Sequence, residues 1–111
     1  MTMTVHVVYR DFEATDAIDA HIRRQIERLE SHVSGIVACH VAVEAPHRHK
    51  QHGRHYRVRI DLALPGSELA VHRSPDDHRR HEDAYVAIDD AFDHALRRAA
   101  QHARRSRSVS R

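Results

Sequence analysis

The chain has 111 residues, 41% of them hydrophobic, and a formal net charge of +2. That length suits one small domain, and the apolar fraction is too high for a disordered chain. One cysteine, Cys39, excludes an internal disulfide framework, and three glycines are too few and misplaced for a phosphate-cradling loop.

The opening MTMTVHVVYR alternates, with Met3, Val5, Val7 and Tyr9 on one side and Thr4, His6 and Val8 on the other. That predicts a strand, not the continuous apolar run of a signal peptide. No stretch reaches the length of a membrane span, so a cytoplasmic protein with no membrane partner is expected. A helix follows, with Thr15 or Asp16 as its cap. Ile18, Ile22, Ile26, Leu29 and Val33 form its apolar stripe, and Gly35 stops it. IVACHVAVEA predicts a second strand with Val37, Cys39, Val41 and Val43 on one face, ended by Pro46.

HRHKQHGRH is a polar turn around Gly53. YRVRIDLAL predicts a third strand, with Tyr56, Val58, Ile60, Leu62 and Leu64 inward. Pro65 and Gly66 mark a tight turn into a short fourth strand, ELAVHR. After the polar stretch SPDDHRRHED, a last helix is predicted from about Glu82 to about Arg105. Its inner stripe is Tyr85, Ile88, Phe92, Ala95, Leu96, Ala99 and Ala103. Residues 1–105 are thus expected to form one domain, and 106–111 a disordered basic tail.

The order β-α-β-β-β-α gives each strand one apolar face and each helix one apolar stripe. The expected fold class is α+β, a single domain with a four-stranded sheet and two helices packed on one face. The other sheet face would be wet, carrying His6, Arg10, His40, Glu44, Arg57, Arg59 and His72.

Charge is segregated. Residues 46–60 hold Arg48, Lys50, Arg54, Arg57 and Arg59 and no acid, and residues 94–111 hold six arginines and no acid. Thirteen histidines add latent positive charge, since ordinary imidazoles protonate near pH ~6.5. On helical wheels Arg24 and Arg28 lie opposite the first stripe, and His94, Arg97, Arg98, Gln101 and Arg105 opposite the second. Side-by-side helices would join these into one outward basic ridge. Arginine presents a planar fork matched to two phosphate oxygens, so RNA contact is one reading. A solvated face, with bases favoured at a helix C-terminus, is the other. The acids of the last helix are read as serving its start. Asp83 caps it, and Asp89, Asp90 and Asp93 keep that half away from phosphate.

The histidines His47, His49, His52 and His55 raise a metal-binding module for buffering or sensing as an alternative function. Arg48, Lys50 and Arg54 among them repel a cation, and the spacing matches no closed zinc motif. No metal and no cofactor are therefore expected. Enzymatic motifs are missing, and no small-molecule substrate is expected. A weaker alternative is a modulator that pairs with another protein through the open sheet face.

EDAYVAIDDAFDHALRR, with Glu82, Asp83, Tyr85, Ala87, Ile88 and Arg97 in register, resembles a segment of the ribosome hibernation promoting factor and ribosome-associated translation inhibitor family. ATDAIDAHIRRQIERLESH, through Arg28, Leu29 and Glu30, and LPGSELAV, through Pro65, Gly66 and Leu69, resemble that family in the same order. The likeness spans about residues 3–105 and implies the same β-α-β-β-β-α fold. It implies binding to the small (30S) ribosomal subunit in the decoding channel, contact with 16S rRNA through basic helix residues, and translation inhibition under stress or in stationary phase. The free chain would be a monomer. His94 and Gln101 stand where the family pattern tends to lysine, the stretches 46–55 and 73–81 are longer, and no C-terminal dimerisation domain of the long-form type is expected.

Overall fold

A computed structural model describes residues 3–45, 56–73 and 83–109. Six elements follow in order: β1 (Thr4–Arg10), α1 (Asp16–His32), β2 (Ala38–Glu44), β3 (Arg57–Leu64), β4 (Ser67–Arg73) and α2 (Ala84–Val109). The sheet order is β1-β2-β3-β4. β1 runs parallel to β2, with Val7 opposite Val41, and the remaining pairs are antiparallel, with Val41 opposite Ile60 and Ile60 opposite Val71. The expected element order and α+β class are therefore present. The parallel pair follows from α1, because a parallel return needs a long crossover.

Local chemistry sets the boundaries. Thr15 caps α1, its hydroxyl accepting from the Ile18 amide at 3.1 Å. Asp11 ends β1 with φ at +66°, a left-handed value that Asp tolerates better than most residues. Between β3 and β4, Gly66 has φ at +74°, and Leu64 pairs with Ser67 across the two-residue turn. Asp83 caps α2, its carboxylate accepting from the Tyr85 amide at 2.8 Å.

The core is aliphatic. Cys39, Val41 and Val43 from β2, Val58, Ile60 and Leu62 from β3, and Ile22, Leu29, Ile88 and Phe92 from the helices are almost fully buried. α2 meets this core largely through small side chains, with Ala84, Ala87, Ala91, Ala95 and Ala99 all buried. Tyr9 bonds Asp19 of α1 at 2.7 Å, and its ring stands edge-on to Phe12, which stands edge-on to Tyr56.

Three sequence expectations shift. Val37 is 56% exposed and lines an open depression with Val33, Ile36 and Pro65 at the end of the sheet, so Ile36 takes the buried position beside it. Tyr85 is 39% exposed, because the buried stripe of α2 is centred on alanines and leaves Tyr85 at the seam with α1. α2 begins at Ala84 and extends to Val109 rather than ending near Arg105. The segments 46–55 and 74–82, which include the four loop histidines, lie outside the described residues.

Candidate nucleic-acid interface

The two helices meet along a polar seam. One oxygen of Asp89 takes the His21 Nε2 at 2.6 Å and the Gln25 amide, also at 2.6 Å. Arg28 donates to Gln25 at 2.9 Å and pairs with Asp93 at 3.1 Å. The Tyr85 ring stands edge-on to His21, centroids 5.1 Å apart. Partner numbers rise together on both helices, so α1 and α2 run parallel, side by side.

That register separates the ends of the helices. α1 stops at His32, four residues beyond Arg28, whereas α2 continues sixteen residues beyond Asp93. At ~1.5 Å rise per residue, α2 overhangs α1 by roughly 18 Å. Ala99 is still buried and Ala103 is half-buried, while Arg97, Gln101, Arg104 and Arg105 are exposed along the arm. Bases here also sit favourably at the negative end of the α2 dipole.

The expected ridge is therefore divided. Arg24 and Arg97 are exposed and make no ion pair or hydrogen bond with the described residues. Gln101 and Arg105 lie on the same solvent-facing arm as Arg97. His94 is half-buried. Arg28 is exposed but faces inward along the seam to Asp93. Arg98 does not point freely outward. Its Nη1 donates to the Ala70 carbonyl of the edge strand β4 at 2.6 Å, tying α2 to the sheet. The structure thus joins Arg28 to α2 and sends Arg98 to the opposite flank.

Asp89 and Asp93, the acids that the sequence reading sets against phosphate, lie in the seam with α1, where they meet His21, Gln25 and Arg28. Their four-residue spacing on α2, set against His21, Gln25 and Arg28 on α1, was the available signal. Both partners of the Arg28–Asp93 pair are more than two-fifths exposed, so it contributes at most ~1 kcal/mol. It sets register and orientation more than stability.

Elsewhere, Arg23 bonds Asp19 at 2.9 Å, four residues back on α1. Among the described residues, no group of three or more His, Cys, Asp or Glu side chains converges as a metal site would need, and no helix is long and apolar enough to cross a membrane.

A four-stranded mixed sheet with a two-helix layer and a basic overhanging arm makes this a two-layer α+β domain. Within it, the family model described as Sigma 54 modulation protein / S30EA ribosomal protein matches residues 5–107, and the chain belongs to that family. It is accordingly a ribosome-associated factor. The Protein Y N-terminal domain from Thermus thermophilus is similar at 24% identity, covering 92% of this chain and 99% of that one, with a TM-score of 0.68. A ribosomal subunit interface protein from Coxiella burnetii is similar at 12% identity, covering 90% and 97%, with a TM-score of 0.67. At these identities both neighbours speak for the fold. No curated protein matches the chain.

Proposed function

We propose that this protein binds the small ribosomal subunit at the decoding channel, lays the basic face of its helices on 16S rRNA and inhibits translation during stress or stationary phase. It acts in the cytoplasm as a monomer when free, and blocks mRNA and tRNA by occupying their path. Catalysis and a cofactor have no part in this mechanism.

The supporting observation is the asymmetry of α2. Asp89 and Asp93 are used inside the molecule, whereas Arg97, Arg104 and Arg105 stand on the solvent side of an arm that overhangs α1. Phosphate oxygens are the partners such guanidinium forks match best. Arg24 extends the face onto α1, with His94 and Gln101 between the arginines. Arg28 and Arg98 already have partners within the protein, so they contribute to RNA contact less than Arg97 and Arg105.

Replacing Arg97 and Arg105 by Glu tests this directly. Both side chains are exposed, so the thermal melt should match the parent. Co-sedimentation with 30S subunits and inhibition of a cell-free translation reaction should both be lost. For the parent, the log–log dependence of affinity on salt should slope by roughly −0.7 to −0.9 per phosphate contact. A folded double variant that sediments and inhibits like the parent would refute the helix-face reading.

A further inference from the structure

The face of the sheet turned away from the helices is an ordered surface that the helix-face reading leaves unused. The strand register places its side chains in rows. His6, His40, Asp61 and Ala70 form one row, and Val8, Ala42, Arg59 and His72 the next. Arg10, Glu44 and Arg57 form a third. His6, His40, Arg57, Arg59 and His72 are exposed, and Val8 is 44% exposed.

Two features here point to a ligand. The first is a pair of aromatic planes: the His6 and His40 rings lie parallel, 3° apart in tilt, with centroids 4.8 Å apart. The second is a depression of about 310 Å³ in the neighbouring rows, with Ala42 among its lining residues and Arg10, Arg57, Arg59 and His72 around it. Glu44 also lines it, 3.9 Å from Arg57, and Asp61 holds Arg59 at 2.8 Å. Three arginines against two carboxylates leave a positive excess beside flat, exposed rings.

We infer that this open sheet face is a second binding surface, a platform for single-stranded RNA in which an unpaired base stacks on the His6–His40 pair and the adjoining phosphate enters the arginine-lined depression. Unpaired bases recognise aromatic and guanidinium planes, and histidine serves as such a plane. The two rings stack on each other, and because β1 is an edge strand a base extends that stack from the outer face of His6. A duplex hides its bases and would offer this face only phosphates. The charge excess is too small to hold a duplex by phosphates alone, so stacking selects the single strand. The inference stands apart from the helix-face reading, since the two surfaces lie on opposite layers of the domain.

The test uses the full chain carrying Arg97→Glu and Arg105→Glu, which removes the helix contribution. A short mixed-sequence single-stranded RNA, and the same sequence as a duplex, are titrated by fluorescence anisotropy. Amide shifts are followed by NMR. The single strand should bind more tightly than the duplex, with shifts at His6, His40, Ala42, Arg57 and Arg59. Adding His6→Ala and His40→Ala should weaken single-strand binding about tenfold or more, the scale of one lost stacked base. Arg57→Ala with Arg59→Ala should weaken it independently and flatten its salt dependence. Those side chains are exposed, and an unchanged melt confirms that each variant is folded. Equal binding of duplex and single strand, shifts confined to α2, or full affinity in folded His variants would each overturn the platform. So would displacement of the RNA by an acidic peptide seated on the same residues, which would make the partner a protein.

Discussion

Tyr9 and Asp19 form a pair whose energetics follow pH at both extremes. Asp19 is held below its usual value of 3.8, first by the Tyr9 hydroxyl and then by Arg23. Its contribution to stability is present above that usual value and is lost as pH falls through the lower folded value. The Tyr9 phenol is raised above its usual 10.0, by burial first and then by Asp19. Its contribution holds below pH 10 and is lost as pH rises beyond it. Urea midpoints followed from neutral to strongly acidic pH should therefore fall less steeply for Asp19→Asn than for the parent. Tyr9→Phe should flatten the alkaline limb. Cys39 belongs to the same scale. Burial pushes its thiol up to about 12, with Asp61 adding to the effect. A small thiol reagent at neutral pH should therefore modify Cys39 only as the chain unfolds, at a rate that tracks denaturant. Rapid labelling of the folded protein would contradict the packing of β2 against the helices.

The helix pair shows what sequence periodicity conveys and where it stops. The stripe of α1 was legible because Ile18, Ile22, Ile26, Leu29 and Val33 are all large and all buried. The alternation of β3 was equally plain, since Val58, Ile60, Leu62 and Leu64 are buried and Arg57 and Arg59 exposed. In α2 the stripe is centred on Ala84, Ala87, Ala91, Ala95 and Ala99, residues whose small side chains give a weak apolar signal. Tyr85 gives a stronger apolar signal than those alanines, yet it sits against His21 at the seam. The candidate site was legible to the same degree. A wheel for each helix identifies outward residues but not the angle at which one helix meets its neighbour. The packing of α2 between α1 and β4 brings Arg28 to Asp93 and Arg98 to Ala70. One consequence is measurable. Asp93→Ala releases Arg28 from its carboxylate partner, so the variant should bind 30S subunits about as tightly or more tightly than the parent, with a steeper salt dependence. Weaker binding by a folded variant would show that the seam, not the free charge, controls the face.

At the scale of the whole molecule, the domain is elongated, 56 × 26 × 18 Å, with helices on one layer and an open sheet on the other. The helix face and the open sheet face therefore point in different directions. The bond from Arg98 to the Ala70 carbonyl has a meaning beyond positioning α2. β4 is an outer strand, and outer strands present unpaired backbone groups to other copies of the chain. A guanidinium occupying one of those carbonyls removes an acceptor that a neighbouring copy would use and leaves a fixed positive charge on the rim. Arg98 is therefore expected to oppose edge-to-edge association. Arg98→Ala should raise light scattering in concentrated, low-salt solution while ribosome sedimentation changes little, and Arg98→Lys should partly restore clarity by keeping the charge. That result would give an arginine read in the sequence as a nucleic-acid contact a further part, that of keeping each copy from recruiting the next.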